Sequence, residues 1–165
     1  MKSSVNMTVI TIIMLIFMLS SCSSVEDITL QHPYLSQLTN TECLNSKDID
    51  YSQSRSDDNN GSFEMVFDGN TAKCKFTSLE YPCDFEKVNV NVFYSEGVLT
   101  IVEYPSSDKA DCRCEISASF LIEKVPQLDF ILKIYHGDTT GRFNPDKPLY
   151  EGEISLSDGK ITIPY

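Results

Sequence analysis

The chain has 165 residues, with 24 acidic against 13 basic side chains and a formal charge of −11. That balance disfavours nucleic acid and direct adsorption to anionic headgroups, both of which reward an excess of Lys and Arg. The length suits one domain with a sizeable core, and the six cysteines make the redox compartment the next question.

Met1 and Lys2 give a minimal positive start, and residues 7–19 (MTVITIIMLIFML) form an uncharged apolar run. A spanning helix needs about 20 such residues, whereas a signal-peptide core needs about 7–15. The run leads into Leu19-Ser20-Ser21-Cys22, which resembles the bacterial lipobox: a branched apolar residue, two small ones and a cysteine. The resemblance implies cleavage of a signal peptide, residues 1–21, and a thioether-linked lipid on Cys22. Anchoring would then run through two or more acyl chains, which hold stably where one does not. Cleavage removes one lysine and no acid, so the charge moves from −11 to −12. Residues 22–40 lack a clean period, contain Pro33 and read as the lipidated N-terminus and a tether. Residues 41–165 read as the folded domain.

Residues 46–61 are polar and end in the loop-like cluster Asp57-Asp58-Asn59-Asn60-Gly61. From Ser62 the pattern is alternation, the mark of half-buried strands. Phe63, Met65 and Phe67 share one face, and Asp68-Gly69-Asn70 supplies a turn. Ala72, Cys74 and Phe76 follow, with Lys73 and Lys75 on the opposite face. A strand starting at Val88 turns at Ser95-Glu96-Gly97 and returns through 98–104. The clearest alternation is 111–123, where Cys112, Cys114, Ile116, Ala118, Phe120 and Ile122 share a face. Residues 130–135 read as a more fully buried strand. Residues 153–157 and 160–164 read as a hairpin around Asp158-Gly159, a pair that suits a primed turn. Several short strands with regular turns and no helical period predict an all-β fold, an antiparallel immunoglobulin-like sandwich.

Cys22 aside, five cysteines remain, so two disulfides at most form and one thiol is left over. Export places them where disulfides persist. Cys112 and Cys114 lie on one strand face with Cα atoms roughly 6.6 Å apart and parallel Cβ vectors, so they are not expected to pair. The chain brings Cys83 and Cys112 back to one end of a sheet, which makes Cys83–Cys112 the favoured bridge. Cys74 faces inward, with Cys114 or Cys43 as its partner.

Residues 81–85 (YPCDF), the two strands of the following hairpin and Ala110-Asp111-Cys112-Arg113-Cys114 are together similar to a group of small, uncharacterised envelope lipoproteins of Bacteroidetes-type bacteria. Those proteins carry a cysteine-bearing segment before one hairpin and a Cys-x-Cys pair opening the next strand. This chain departs from them in having Asp84 after Cys83, and Ile116-Ser117 where an aromatic-Asp pair is usual. The likeness covers about residues 41–136 and brings no established activity with it. Asp138-Thr139-Thr140 resembles the sequon for O-glycosylation of exported proteins in the same phylum, which makes Thr139 a candidate acceptor. Glu26-Asp27, just after Cys22, resembles the acidic signals that send such lipoproteins to the cell surface.

Chemistry is harder to find. His32 lies in the tether beside Pro33, and His136 ends a strand before Gly137-Asp138 and reads as a solvated loop histidine. No serine sits in a Gly-x-Ser-x-Gly setting. Cys112-x-Cys114 with Cys74 or Cys83 makes a poor zinc set, because the one-residue gap lies in a strand. Aligning Gly61 with the glycine of a calcium loop puts Ser56 and Phe67 at ligand positions, and both are wrong. The expectation is therefore a lipid-anchored envelope protein, exposed at the outer surface, without metal, cofactor or catalytic set. Its partner would be a glycan, peptide or protein. The alternatives are an enzyme or enzyme accessory acting on envelope polymers, and a structural subunit of a surface assembly.

Overall fold

The computed structural model describes residues 32–41, 43, 46–47 and 61–164. The signal segment, Cys22, Glu26-Asp27 and residues 57–60 lie outside them. All the described residues belong to the compact unit His32–Tyr165.

Among the described residues ten strands follow one another: β1 Tyr34–Asn40, β2 Ser46–Lys47, β3 Ser62–Asp68, β4 Thr71–Pro82, β5 Val88–Ser95, β6 Val98–Pro105, β7 Arg113–Glu123, β8 Phe130–His136, β9 Tyr150–Ile154 and β10 Lys160–Pro164. They form two sheets packed face to face, an all-β sandwich. Sheet A runs β1-β7-β4-β3-β10, and β2 lies beyond β1 along the same side of β7; sheet B runs β5-β6-β8-β9. Strict alternation does the sorting. Phe63, Met65, Phe76, Ile116 and Ile122 of sheet A and Leu99, Ile101, Leu132 and Ile134 of sheet B are all fully buried between the layers. Each such side chain contributes about 1.5–3 kcal/mol on leaving water. Phe76 stands 4.8 Å from the Phe63 ring and 5.7 Å from Phe120, a ladder across β3, β4 and β7. Phe67 meets Phe130 edge-on at 6.3 Å and ties one sheet to the other. The β5–β6 turn places Glu96 at φ +52° and Gly97 at φ +79°, the pair of left-handed residues a type I′ turn requires.

The structure corrects several expectations. Residues 34–40 are not tether but strand β1, paired with β7 from Tyr34↔Glu123 to Asn40↔Ala118. Its inward residues, Leu35 and Leu38, are separated by a bulge at Gln37 (φ +51°), and this extra residue hides the alternation. The C-terminal hairpin does not form. β9 pairs with β8 in sheet B, and a 3-10 turn over Leu156–Asp158 carries the chain across to sheet A, where β10 pairs with β3. There Ile161 stands opposite Met65 and Ile163 opposite Phe63, so the crossing completes the core. One pair, β6–β8, is parallel. The chain leaves sheet B after β6, runs back through β7 in sheet A and returns in the same direction. β8 is buried on both faces only at Ile134 and Tyr135, and Ile131 is exposed.

Candidate functional site

Two disulfides close one end of the sandwich. Cys83, just past β4, joins Cys112, just before β7, with Cα atoms 5.5 Å apart; the Cys83 N–H also donates to the Cys112 carbonyl at 3.1 Å. Cys43, between β1 and β2, joins Cys114 of β7 with Cα atoms 5.4 Å apart. Each bridge stabilises by about 2–4 kcal/mol. Cys112 and Cys114 do not pair with each other. Cys74 takes neither of the partners expected for it: it is a reduced thiol buried in the core, and burial pushes its pKa far up. The reason is layer position. Cys74 sits mid-strand opposite Met65 and Phe120, whereas Cys114 lies at the far end of β7 opposite Tyr81.

At the same end sits a polar group that sequence reasoning missed. Glu103 on β6 and His136 on β8 are register partners in the parallel pair, which sets their side chains side by side. The carboxylate is 2% exposed and its Oε1 lies 2.7 Å from His136 Nδ1, whereas the imidazole is half exposed. The Tyr81 ring stacks on the imidazole at 5.8 Å and meets Phe85 at 5.9 Å. Glu103 Oε2 and the Tyr81 hydroxyl are buried and find no hydrogen-bond partner among the described residues. Burial raises the Glu103 pKa, and the hydrogen bond and charge of His136 only partly oppose this. A signal for the pair was present. Glu103 falls in phase with the inward Leu99 and Ile101, and His136 with Phe130, Leu132 and Ile134. His136 is thus a strand residue packed on Tyr81, not a solvated loop histidine. His32 is exposed, before β1.

Residues 137–149 fold over the outer face of sheet B beside this group. Phe143 packs on Tyr135 at 4.4 Å, and the Tyr135 hydroxyl donates to the Pro145 carbonyl at 3.3 Å. Gly141, at φ +78°, lies so close to Tyr104 that a Cβ there would come within 3.1 Å of the ring. Asp138 accepts hydrogen bonds from the Thr140 hydroxyl, the Thr140 N–H and the Arg142 N–H, and these lower its pKa. Thr139 is half-buried in this turn, between exposed Asp138 and Thr140.

The outer face of sheet A holds a shallow, open groove of about 470 Å³ running across its central strands. Gln37 and Thr39 of β1, Lys73 and Lys75 of β4, and Ser119 and Leu121 of β7 line it, with Glu64 and Val66 of β3. The Gln37 bulge at its rim is where β1 falls out of register with β7. Among the described residues no group of three or more His, Cys, Asp or Glu side chains is placed to hold a metal ion. Comparison with protein-family models, with curated proteins and with solved structures finds no match to any of them.

Proposed function

We propose that this protein is a bacterial envelope lipoprotein, anchored through lipid on Cys22, whose β-sandwich is a non-catalytic binding module. The observation that carries the reading is the fate of the cysteines. Four are paired in two disulfides and the fifth is a buried core thiol. Such pairing belongs to an oxidising compartment and therefore to an exported chain. Cys22, which follows an apolar run and two small residues, is the one cysteine these roles do not use. The cysteine spacing shared with small Bacteroidetes-type lipoproteins supports the same reading, and the acidic Glu26-Asp27 supports display on the outer surface. The open groove on sheet A supports the binding-module reading. Metabolic labelling with a palmitate analogue tests the anchor: wild type takes up label and fractionates with membranes, and Cys22→Ala loses both. Protease shaving of intact cells tests the side, with removal of the domain expected. Label retained on Cys22→Ala contradicts the proposal.

A second reading, an enzyme or enzyme accessory acting on envelope polymers, is favoured by one observation, the Glu103–His136 pair. A buried carboxylate that fixes an exposed imidazole is how many hydrolases orient a general base. Turnover of an envelope polymer that disappears in His136→Ala would favour this reading over the first.

A further inference from the structure

Sheet B ends in β5 on one side and β9 on the other; sheet A ends in β10 and, past β7, in β1 and β2. A free sheet edge is a template for another strand, and proteins blunt it with charge, proline or a bulge. β9 carries Glu151 and Glu153, β10 carries Lys160 and Pro164, and β1 is broken by its bulge at Gln37. β5 has none of these devices: its sequence, VNVNVFYS, is uncharged and pairs with β6 without a register shift. The phase of that ladder is fixed by the Ser106 N–H, which donates to the Lys87 carbonyl. Asn89, Asn91, Phe93 and Ser95 then bond to β6, and Val88, Val90, Val92 and Tyr94 direct their backbone groups away from it. No backbone hydrogen bond among the described residues reaches those outward groups. Burial divides them. Val88 is fully buried and Val90 nearly so, whereas Val92 and Tyr94 are half-buried and Phe93 is 51% exposed. The edge is therefore closed at Val88 and open towards the Glu96-Gly97 turn. Val98 and Ile131, register partners on the same outer face as Phe93, widen the apolar surface at this corner.

We propose that the open half of β5 pairs with the same strand of a second copy of this chain, antiparallel, about a two-fold axis at Phe93. Parity and exposure together select this register. Phe93 faces Phe93 of the second copy, and Val92 stands opposite its Tyr94. The outward N–H of each Val92 donates to the Tyr94 carbonyl across the axis, and each Tyr94 N–H donates to the Val92 carbonyl. Pairing ends with Val90 opposite Glu96, short of the closed position at Val88. Charge favours a second copy. In a chain of formal charge −11, self-association must keep acid from acid, and β5 brings none to the contact. The nearest acids, the two Glu96 side chains, stand six residues apart along the pair, about 20 Å. Head-to-tail addition of β5 to β9 would instead bury Glu151 and Glu153 and leave a free edge at each end. The two-fold pair consumes the one unprotected edge of each copy and closes on itself.

Cross-linking of the full chain in its own membranes tests the contact. At the axis a non-hydrogen-bonded pair brings the two Cα atoms to about 4.5 Å, within disulfide reach. Mild oxidation should link Phe93→Cys into a dimer of this chain alone. Thr162→Cys, exposed on the β10 edge, should stay monomeric. In detergent, sedimentation of the wild type should show a monomer–dimer equilibrium. Phe93→Asp and Phe93→Lys, each with unchanged thermal unfolding, should raise its dissociation constant at least about tenfold, because like charges then face each other across the axis. An equimolar mixture of the two variants should recover the dimer. Sharing of a detergent micelle through the lipid would not respond to these substitutions. A wild type that stays monomeric, or cross-linking no stronger at Phe93→Cys than at Thr162→Cys, would overturn the proposal. So would a link from Phe93→Cys to a different protein, a dimer that either charged variant leaves intact, or a mixture that stays monomeric.

Discussion

Glu103 is the residue whose surroundings most constrain its behaviour. Its carboxyl is taken out of water, one oxygen is held by His136 and the other has no partner among the described residues. Burial raises its pKa in the folded state, so folding favours the protonated form. The stability it contributes is fully present below the unfolded value of about 4.3 and is lost as pH rises through the higher folded value. Glu103→Gln removes that titration while keeping the shape and a hydrogen-bonding group for His136. Urea unfolding at a series of pH values should show the variant gaining on wild type as pH rises from about 4 towards neutral. A variant that instead loses ground over this range would contradict the account of the pair. The residue was legible in part, since an acid in phase with Leu99 and Ile101 marks an inward position. Its partner was not, because only the parallel pairing of β6 with β8 brings His136 alongside.

At the scale of elements, the strands with uninterrupted alternation were plain in the sequence. β3, β4, β5, β6 and β7 stand close to where Phe63, Cys74, Val88, Ile101 and Ile116 place them. The failures share one physical cause: local pattern does not say which strand a strand pairs with. β1 was hidden by the Gln37 bulge, which shifts its inward residues from a two-residue to a three-residue spacing. The Asp158-Gly159 pair does turn the chain, with Gly159 at φ +66°, yet it turns it into the other sheet. The Cys83–Cys112 bridge was argued from strand ends, and the structure forms it; Cys43–Cys114 followed only once β2 was seen beside β7. Replacing Cys83 and Cys112 together by serine should lower unfolding free energy by about 2–4 kcal/mol in denaturant melts, with the β-sheet circular dichroism retained. A loss below about 0.5 kcal/mol would show that the bridge adds little to holding β4 and β7 together.

For the whole molecule, alternation and turn chemistry were enough to specify a two-sheet sandwich, because each strand has one apolar face and two such faces must meet. The groove on sheet A was not legible as a site. Lys73 and Lys75 were visible as an outward pair, but Lys160 joins them only through the crossing of β10 to the edge of β3. The proposed biology depends on something the sandwich cannot supply alone, a chain that starts at a lipid-bearing Cys22 and carries its disulfides in the envelope. Intact-mass analysis of the protein from its own membranes, with thiols blocked and disulfides left oxidised, tests this most directly. The account predicts a chain beginning at Cys22 with a diacylglyceryl thioether, the Cys83–Cys112 and Cys43–Cys114 bridges, and a single thiol at Cys74 that reacts only after unfolding. A chain still beginning at Met1, or one carrying Cys22 as a free thiol, would contradict it.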